Sequence, residues 1–85
     1  MVTDSSGGRD GSSFDKAVIA YSVRAEYKWI DRVYPGSQLL SQVSTEHQGK
    51  MYDKVSIKTK EGTEKDVYFD ISKFYKPKDY NVTEQ

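Results

Sequence analysis

Between Gln38 and Ile71 the chain reads as three strand-forming runs, Gln38 to His47, Lys50 to Lys60 and Lys65 to Ile71, separated by Gln48-Gly49 and by Glu61-Gly62-Thr63. Runs rich in β-branched and aromatic residues, bounded by Gly-containing turns, pair as hairpins, so three in succession predict an antiparallel β-meander. In the second run Val55, Ile57 and Thr59 alternate with Lys54, Ser56 and Lys58. In the third, Val67, Phe69 and Ile71 alternate with Asp66, Tyr68 and Asp70. Successive side chains of a strand point to opposite faces, so the sheet has one buried face and one wet face. Charge and hydropathy together select a register that sets Lys58 opposite Asp66 and Lys54 opposite Asp70 while stacking Ile57 on Val67 and Val55 on Phe69. That register leaves Glu61, Gly62 and Thr63 as the loop, with Gly62 supplying a left-handed residue.

The apolar face of such a sheet needs a covering element. Upstream, Ser12 and Asp15 fit the pattern in which a Ser and an acid three residues later cap a helix start. Phe14, Ala17, Val18, Tyr21, Ala25 and Trp29 fall on one stripe at helical spacing, which places Trp29 in the core. A second apolar set, Ile19, Val23, Tyr27, Ile30 and Tyr34, lies on the opposite side, and the β-branched run from Ala17 to Val23 would also suit a strand. Pro35-Gly36 ends the helix near Tyr34, because the residue before Pro is pushed out of the helical region. The fold class is therefore α+β: one N-terminal helix packed on a three-stranded antiparallel meander, with an extra strand from residues 17 to 23 as the alternative.

Eighty-five residues support one domain. Residues 1–12 are Gly, Ser and Asp with almost nothing apolar to bury, and read as a disordered tether; residues 13–75 form the domain, and 76–85, opening on Lys76-Pro77-Lys78-Asp79, read as a mobile tail. Thirteen basic and thirteen acidic side chains cancel. That balance argues against nucleic acid or an anionic membrane as partner. No run approaches the eighteen or more apolar residues of a membrane span. Cysteine is absent, which excludes disulfides and thiolate chemistry.

His47 is the only histidine, beside the Gln48-Gly49 turn, and without Cys partners it reads as a surface-loop residue with no metal or catalytic role. Asp66 and Asp70 share the wet face with lysines, so they read as solvated ion pairs and not as an acid/base couple. Gly7-Gly8 and Gly11 lack the strand and helix that frame a phosphate loop. No cofactor, metal or enzymatic activity is expected. Asn81-Val82-Thr83 matches a glycosylation acceptor that only a eukaryotic secretory setting would use.

The remaining candidate site is aromatic and basic: Tyr52, Lys54, Lys58 and Tyr68 on the wet face of the sheet, with Phe74 and Tyr75 after the last strand. Tyr offers a large contact area at low rotamer entropy, so this face is a candidate surface for an unidentified protein partner. The competing reading is plain cross-strand packing of Tyr against Lys stems.

A helix ending in Tyr34-Pro35-Gly36, then Tyr52-x-x-Val55-x-Ile57, a Gly62 turn and Val67-Tyr68-Phe69-Asp70, resembles the PepSY-like α-β-β-β modules of bacterial envelope proteins, over about Ala25 to Ser72. The resemblance implies a non-catalytic, protein-binding or regulatory module, periplasmic or elsewhere in the cell envelope, behind a signal peptide or lipid anchor that would precede this sequence. A monomer or weak dimer is expected. The chain departs from that pattern where Ile71-Ser72-Lys73 stands in place of a small-Gly dipeptide. The alternative function is a small cytosolic accessory protein or ligand carrier with a pocket between helix and sheet.

Overall fold

The computed structural model describes residues 9–75. Four strands and one helix follow in the order β1 (Val18–Ile19), α1 (Val23–Val33), β2 (Gln38–His47), β3 (Lys50–Lys58) and β4 (Glu64–Asp70). The α+β class stands. The sheet, however, is four-stranded and mixed, with strand order β1-β4-β3-β2. β1 lies parallel to β4, with Val18 opposite Phe69 and Ile19 opposite Asp70.

The first correction concerns the helix start. It falls at Val23, where the Ser22 hydroxyl accepts the Ala25 N–H at 3.0 Å, and not at Phe14. Ser12 turns back instead, donating from both its backbone N–H and its hydroxyl to Asp10 Oδ1 at 3.0 and 2.6 Å. β-branched Val18 and Ile19 complete the sheet edge along β4, so part of the alternative strand at residues 17–23 is realised as this two-residue β1. The helix ends as expected: the Tyr34 N–H closes on the Ile30 carbonyl at 2.7 Å, and Gly36 follows at φ +83°.

The second correction concerns register. Val55 faces Val67 and Asp53 faces Phe69, two residues from the expected alignment; Lys58 faces Glu64, and Ser56 faces Asp66. The Ser56 hydroxyl donates to Asp66 Oδ1 at 2.7 Å. The cause is local. Thr59 N–H bonds to the Thr63 carbonyl and Gly62 N–H to the Thr59 carbonyl, both at 2.8 Å, while Thr59 Oγ1 accepts the Thr63 N–H at 3.2 Å. This longer closed loop draws Glu64 to Lys58. Because the shift is two residues, every side chain keeps its expected face.

On the helix side of the sheet Val55, Ile57, Val67, Phe69 and Ile71 are buried with Ala20 and Ile30. Trp29 packs edge-on to Phe69, ring centroids 5.6 Å apart, as a core residue. Phe74 and Tyr75 turn back, both N–H groups reaching the Ile71 carbonyl, and pack against the same cluster. The β2–β3 turn is Gln48-Gly49, with both residues at positive φ, as a tight hairpin of this twist requires. Of the expected 1–12 tether, residues 1–8 lie outside the described residues. Residues 9–12 are described, and there Gly11 is buried and accepts the Tyr68 N–H at 2.8 Å. The 76–85 tail lies outside the described residues. No helix among them is long and apolar enough to cross a membrane.

Candidate functional site

The four wet-face residues separate into two environments. Lys54 and Tyr68 stand directly opposite each other, and Lys58 is exposed opposite Glu64. Tyr52 does not present a surface: it retains 7% exposure. The segment before β1 crosses that end of the sheet, and the Phe14 ring caps it. Phe14 lies 5.0 Å from Tyr52 and 4.7 Å from Tyr68, and stacks on His47 at 4.0 Å, 7° from parallel. His47 is accordingly the last residue of β2, half-buried against an aromatic ring, where a surface-loop residue was expected. Offset and tilted ring pairs of this kind contribute about 0.5–1.5 kcal/mol each beyond area burial. Beside this cluster, where Lys50 pairs with His47 and Asp70 with Tyr52, Lys50 Nζ reaches Asp70 Oδ2 at 3.0 Å. Burial tends to raise the Asp70 carboxyl, but the Ser72 hydroxyl and N–H and the Lys50 ammonium outweigh it and hold Asp70 below its ordinary value.

On the opposite flank β2 is a ten-residue outer strand that, among the described residues, is paired only on its β3 side, and it carries neither Lys nor Pro. Natural edge strands are commonly guarded by such residues, because an unpaired row of N–H and C=O groups templates further pairing. Leu39, Leu40 and Val43 on this strand keep 53%, 45% and 51% of their surface in solvent. The only irregularity is a bulge at Leu40, between the pairs Leu39–Ile57 and Ser41–Ser56. It puts Leu39, Gln42 and Ser44 on the helix side, and Ser41, Val43 and Thr45 on the Phe14 side.

Buried polar groups hold this edge from beneath. Gln42 Nε2 donates to Glu26 Oε1 at 3.2 Å and to Asp53 Oδ2 at 3.1 Å, and the Tyr27 hydroxyl donates to Gln42 Oε1. The Ser44 hydroxyl donates to Asp53 Oδ1 at 2.8 Å. Glu26 is 0% and Asp53 4% exposed. Burial first, then a hydrogen bond to Asp53 and its neighbouring charge, push the Glu26 carboxyl up to about 9. Among the described residues no hydrogen-bond partner reaches Glu26 Oε2, and protonation of Glu26 spares that atom an unpaired buried charge. A carboxyl raised by burial next to a second carboxyl is the raw material of general acid/base catalysis. Here they sit between helix and sheet, and neither lines either of the two clefts described below. Their effect falls on β2, whose Gln42 and Ser44 they fix in place.

The sequence reading missed Glu26 and Asp53, although each left a mark. Asp53 interrupts the core-side series Met51, Val55, Ile57, and Glu26 precedes Ile30 by one helical turn on the buried face. Between helix and sheet, Tyr27, Ile30, Asp31, Ser37, Leu39 and Ile57 border a cleft of about 150 Å³, and a second of about 220 Å³ lies beside Gly11 and Lys65. Among the described residues no group of three or more His, Cys, Asp or Glu is arranged to hold a metal. Comparison with protein-family models, curated proteins and solved structures returns no match.

Proposed function

We propose that this chain is a non-catalytic protein-binding module that takes an extended segment of its partner as an added strand along β2. The carrying observation is the ten-residue outer strand, free of Lys and Pro, with Leu39, Leu40 and Val43 exposed on it. In strand addition the main-chain bonds give affinity and alternate side chains give selectivity. The Glu26–Gln42–Asp53–Ser44 network supports this by holding the edge in one conformation before binding, which lowers the ordering cost. The wet-face alternative is weaker, since Phe14 already covers Tyr52. A ligand carrier is also less well supported, because a cleft of about 150 Å³ falls short of the roughly 300–1,000 Å³ of small-molecule sites. Location in the bacterial cell envelope belongs to the proposal and rests on the PepSY resemblance alone.

The test is selection of binders from a displayed library of extended peptides, followed by amide-shift mapping. Shifts concentrated on Gln38–His47, and loss of binding in Leu40→Lys with the fold retained, are expected. Binders that map to Lys54, Lys58 and Tyr68 would overturn the edge reading.

A further inference from the structure

We infer that the strand β2 accepts is the β2 of a second copy of this chain, paired antiparallel about a two-fold axis through Val43. The inference rests on the edge-binding reading above and names its partner. In a two-fold interface residue i meets j and j meets i, so the strand must be complementary to itself. About Val43 it is. Val43 meets Val43, Ser41 meets Thr45, and Gln42 meets Ser44.

Two of these three pairs are of kinds that sheets favour: an apolar pair on the axis and a hydroxyl pair flanking it. Ser41, Val43 and Thr45 share the Phe14 side, whereas Gln42 and Ser44 share the helix side. This alignment therefore matches faces across the junction; a slip by one residue would set Val43 against Gln42 and mix them. No charged residue lies between Ser41 and Thr45, so no like charges meet near the axis. Thirteen basic and thirteen acidic side chains in the whole chain leave no net repulsion between copies.

The bulge at Leu40 ends the regular ladder, leaving Leu39 and Leu40 to pack beside Glu46 and His47 of the other copy. The interface is short, and below the roughly 1,200 Å² of stable complexes an association in the micromolar range is expected. Two four-stranded sheets then become one continuous sheet with β1 at each end.

Sedimentation velocity on the full chain over a concentration series tests this with Val43→Lys and Val43→Glu, substitutions at an exposed position. The unmodified chain should pass from monomer to dimer mass as concentration rises. Each variant alone should dimerise about tenfold more weakly, because identical charges face each other on the axis. An equimolar mixture of the two should recover the dimer at low salt and lose it at high salt. An interface that brings the two copies of residue 43 together across β2 produces that recovery. A mixture no more associated than its components, or an unmodified chain that stays monomeric, overturns the inference. Should the monomer still bind selected peptides along β2, the self-pairing fails while the edge-binding reading stands; should nothing bind β2, both fail.

Discussion

Glu26, from the helix, and Asp53, from β3, share one donor, Gln42 Nε2, which reaches Glu26 Oε1 at 3.2 Å and Asp53 Oδ2 at 3.1 Å, although both are acids and both are buried. Two carboxylates have only acceptors to offer each other, so the contact requires a proton. Burial, the Asp53 hydrogen bond and the Asp53 charge together keep that proton on Glu26 up to about pH 9. The folded state therefore binds one proton more than the unfolded chain between about 4.5 and 9. Its contribution to stability is fully present below the unfolded value and declines as pH rises, with a limiting slope of about 1.4 kcal/mol per pH unit. Asp70 acts in the opposite sense: its carboxyl is held below 3.8, so its contribution is lost as pH falls through the folded value. Urea melts from pH 4 to pH 10 should show the midpoint falling toward the alkaline end. A midpoint that is flat or rising from pH 5 to pH 9 contradicts the shared proton.

Replacing Glu26 by Gln separates the proton from the packing. Gln has nearly the same shape, keeps a donor toward Asp53 and cannot titrate. Glu26→Gln should lose most of the alkaline decline while staying within about 1 kcal/mol of the parent at neutral pH. Glu26→Ala removes one partner of the contact, leaving Gln42 and Asp53 short of a bond and a cavity beneath the helix, at a cost of about 2–4 kcal/mol. If Gln and Ala are equally damaging, the network gains nothing from the proton.

What was legible in the sequence follows from how local each signal is. Pro35-Gly36 and Gln48-Gly49 act on their own backbone, and the helix end and β2 fall where those residues place them. Alternation assigned Val55, Ile57, Val67 and Phe69 to the core face, because parity depends on one strand at a time. Register depends on two, and a shift of two residues preserves both parities. Charge pairing at Lys58 could not separate Asp66 from Glu64; the Thr59–Thr63 loop bonds did. Val18-Ile19 became a strand only because β4 offers an edge, a fact held elsewhere in the chain. The Glu26–Asp53 site was hidden for the same reason: each acid was visible in an apolar slot, but their meeting across helix and sheet was not.

Gly11 tests whether the segment ahead of β1 belongs to the domain. It sits at φ +81°, and a Cβ there would come within 2.8 Å of Val67 Cγ1, a branched side chain of the core. Gly11→Ala should cost about 2–4 kcal/mol, combining the left-handed backbone with overpacking. Gly62→Ala is the control, since its φ is +94° but no atom lies within 4 Å of the added Cβ. That change should cost about 1 kcal/mol. Equal melting temperatures for the two variants would show that residues 9–12 do not pack on β4.

Phe14 carries the last expectation, because it spans three strands' worth of aromatic contacts from a segment otherwise held by few side chains. Its ring stacks on His47 of β2, meets Tyr52 of β3 edge-on and leans against Tyr68 of β4. Phe14→Ala should cost about 2 kcal/mol through lost burial and ring pairing. It should also expose Tyr52, which the parent keeps covered. His47→Ala removes only the stacked partner and should cost about 1 kcal/mol. Tyr fluorescence quenching by iodide, read beside the melt, separates these effects: quenching should rise strongly in Phe14→Ala and little in His47→Ala. If Phe14→Ala leaves both stability and quenching unchanged, the segment does not close this face, and Tyr52, Lys54, Lys58 and Tyr68 return as one accessible surface competing with β2 for the partner.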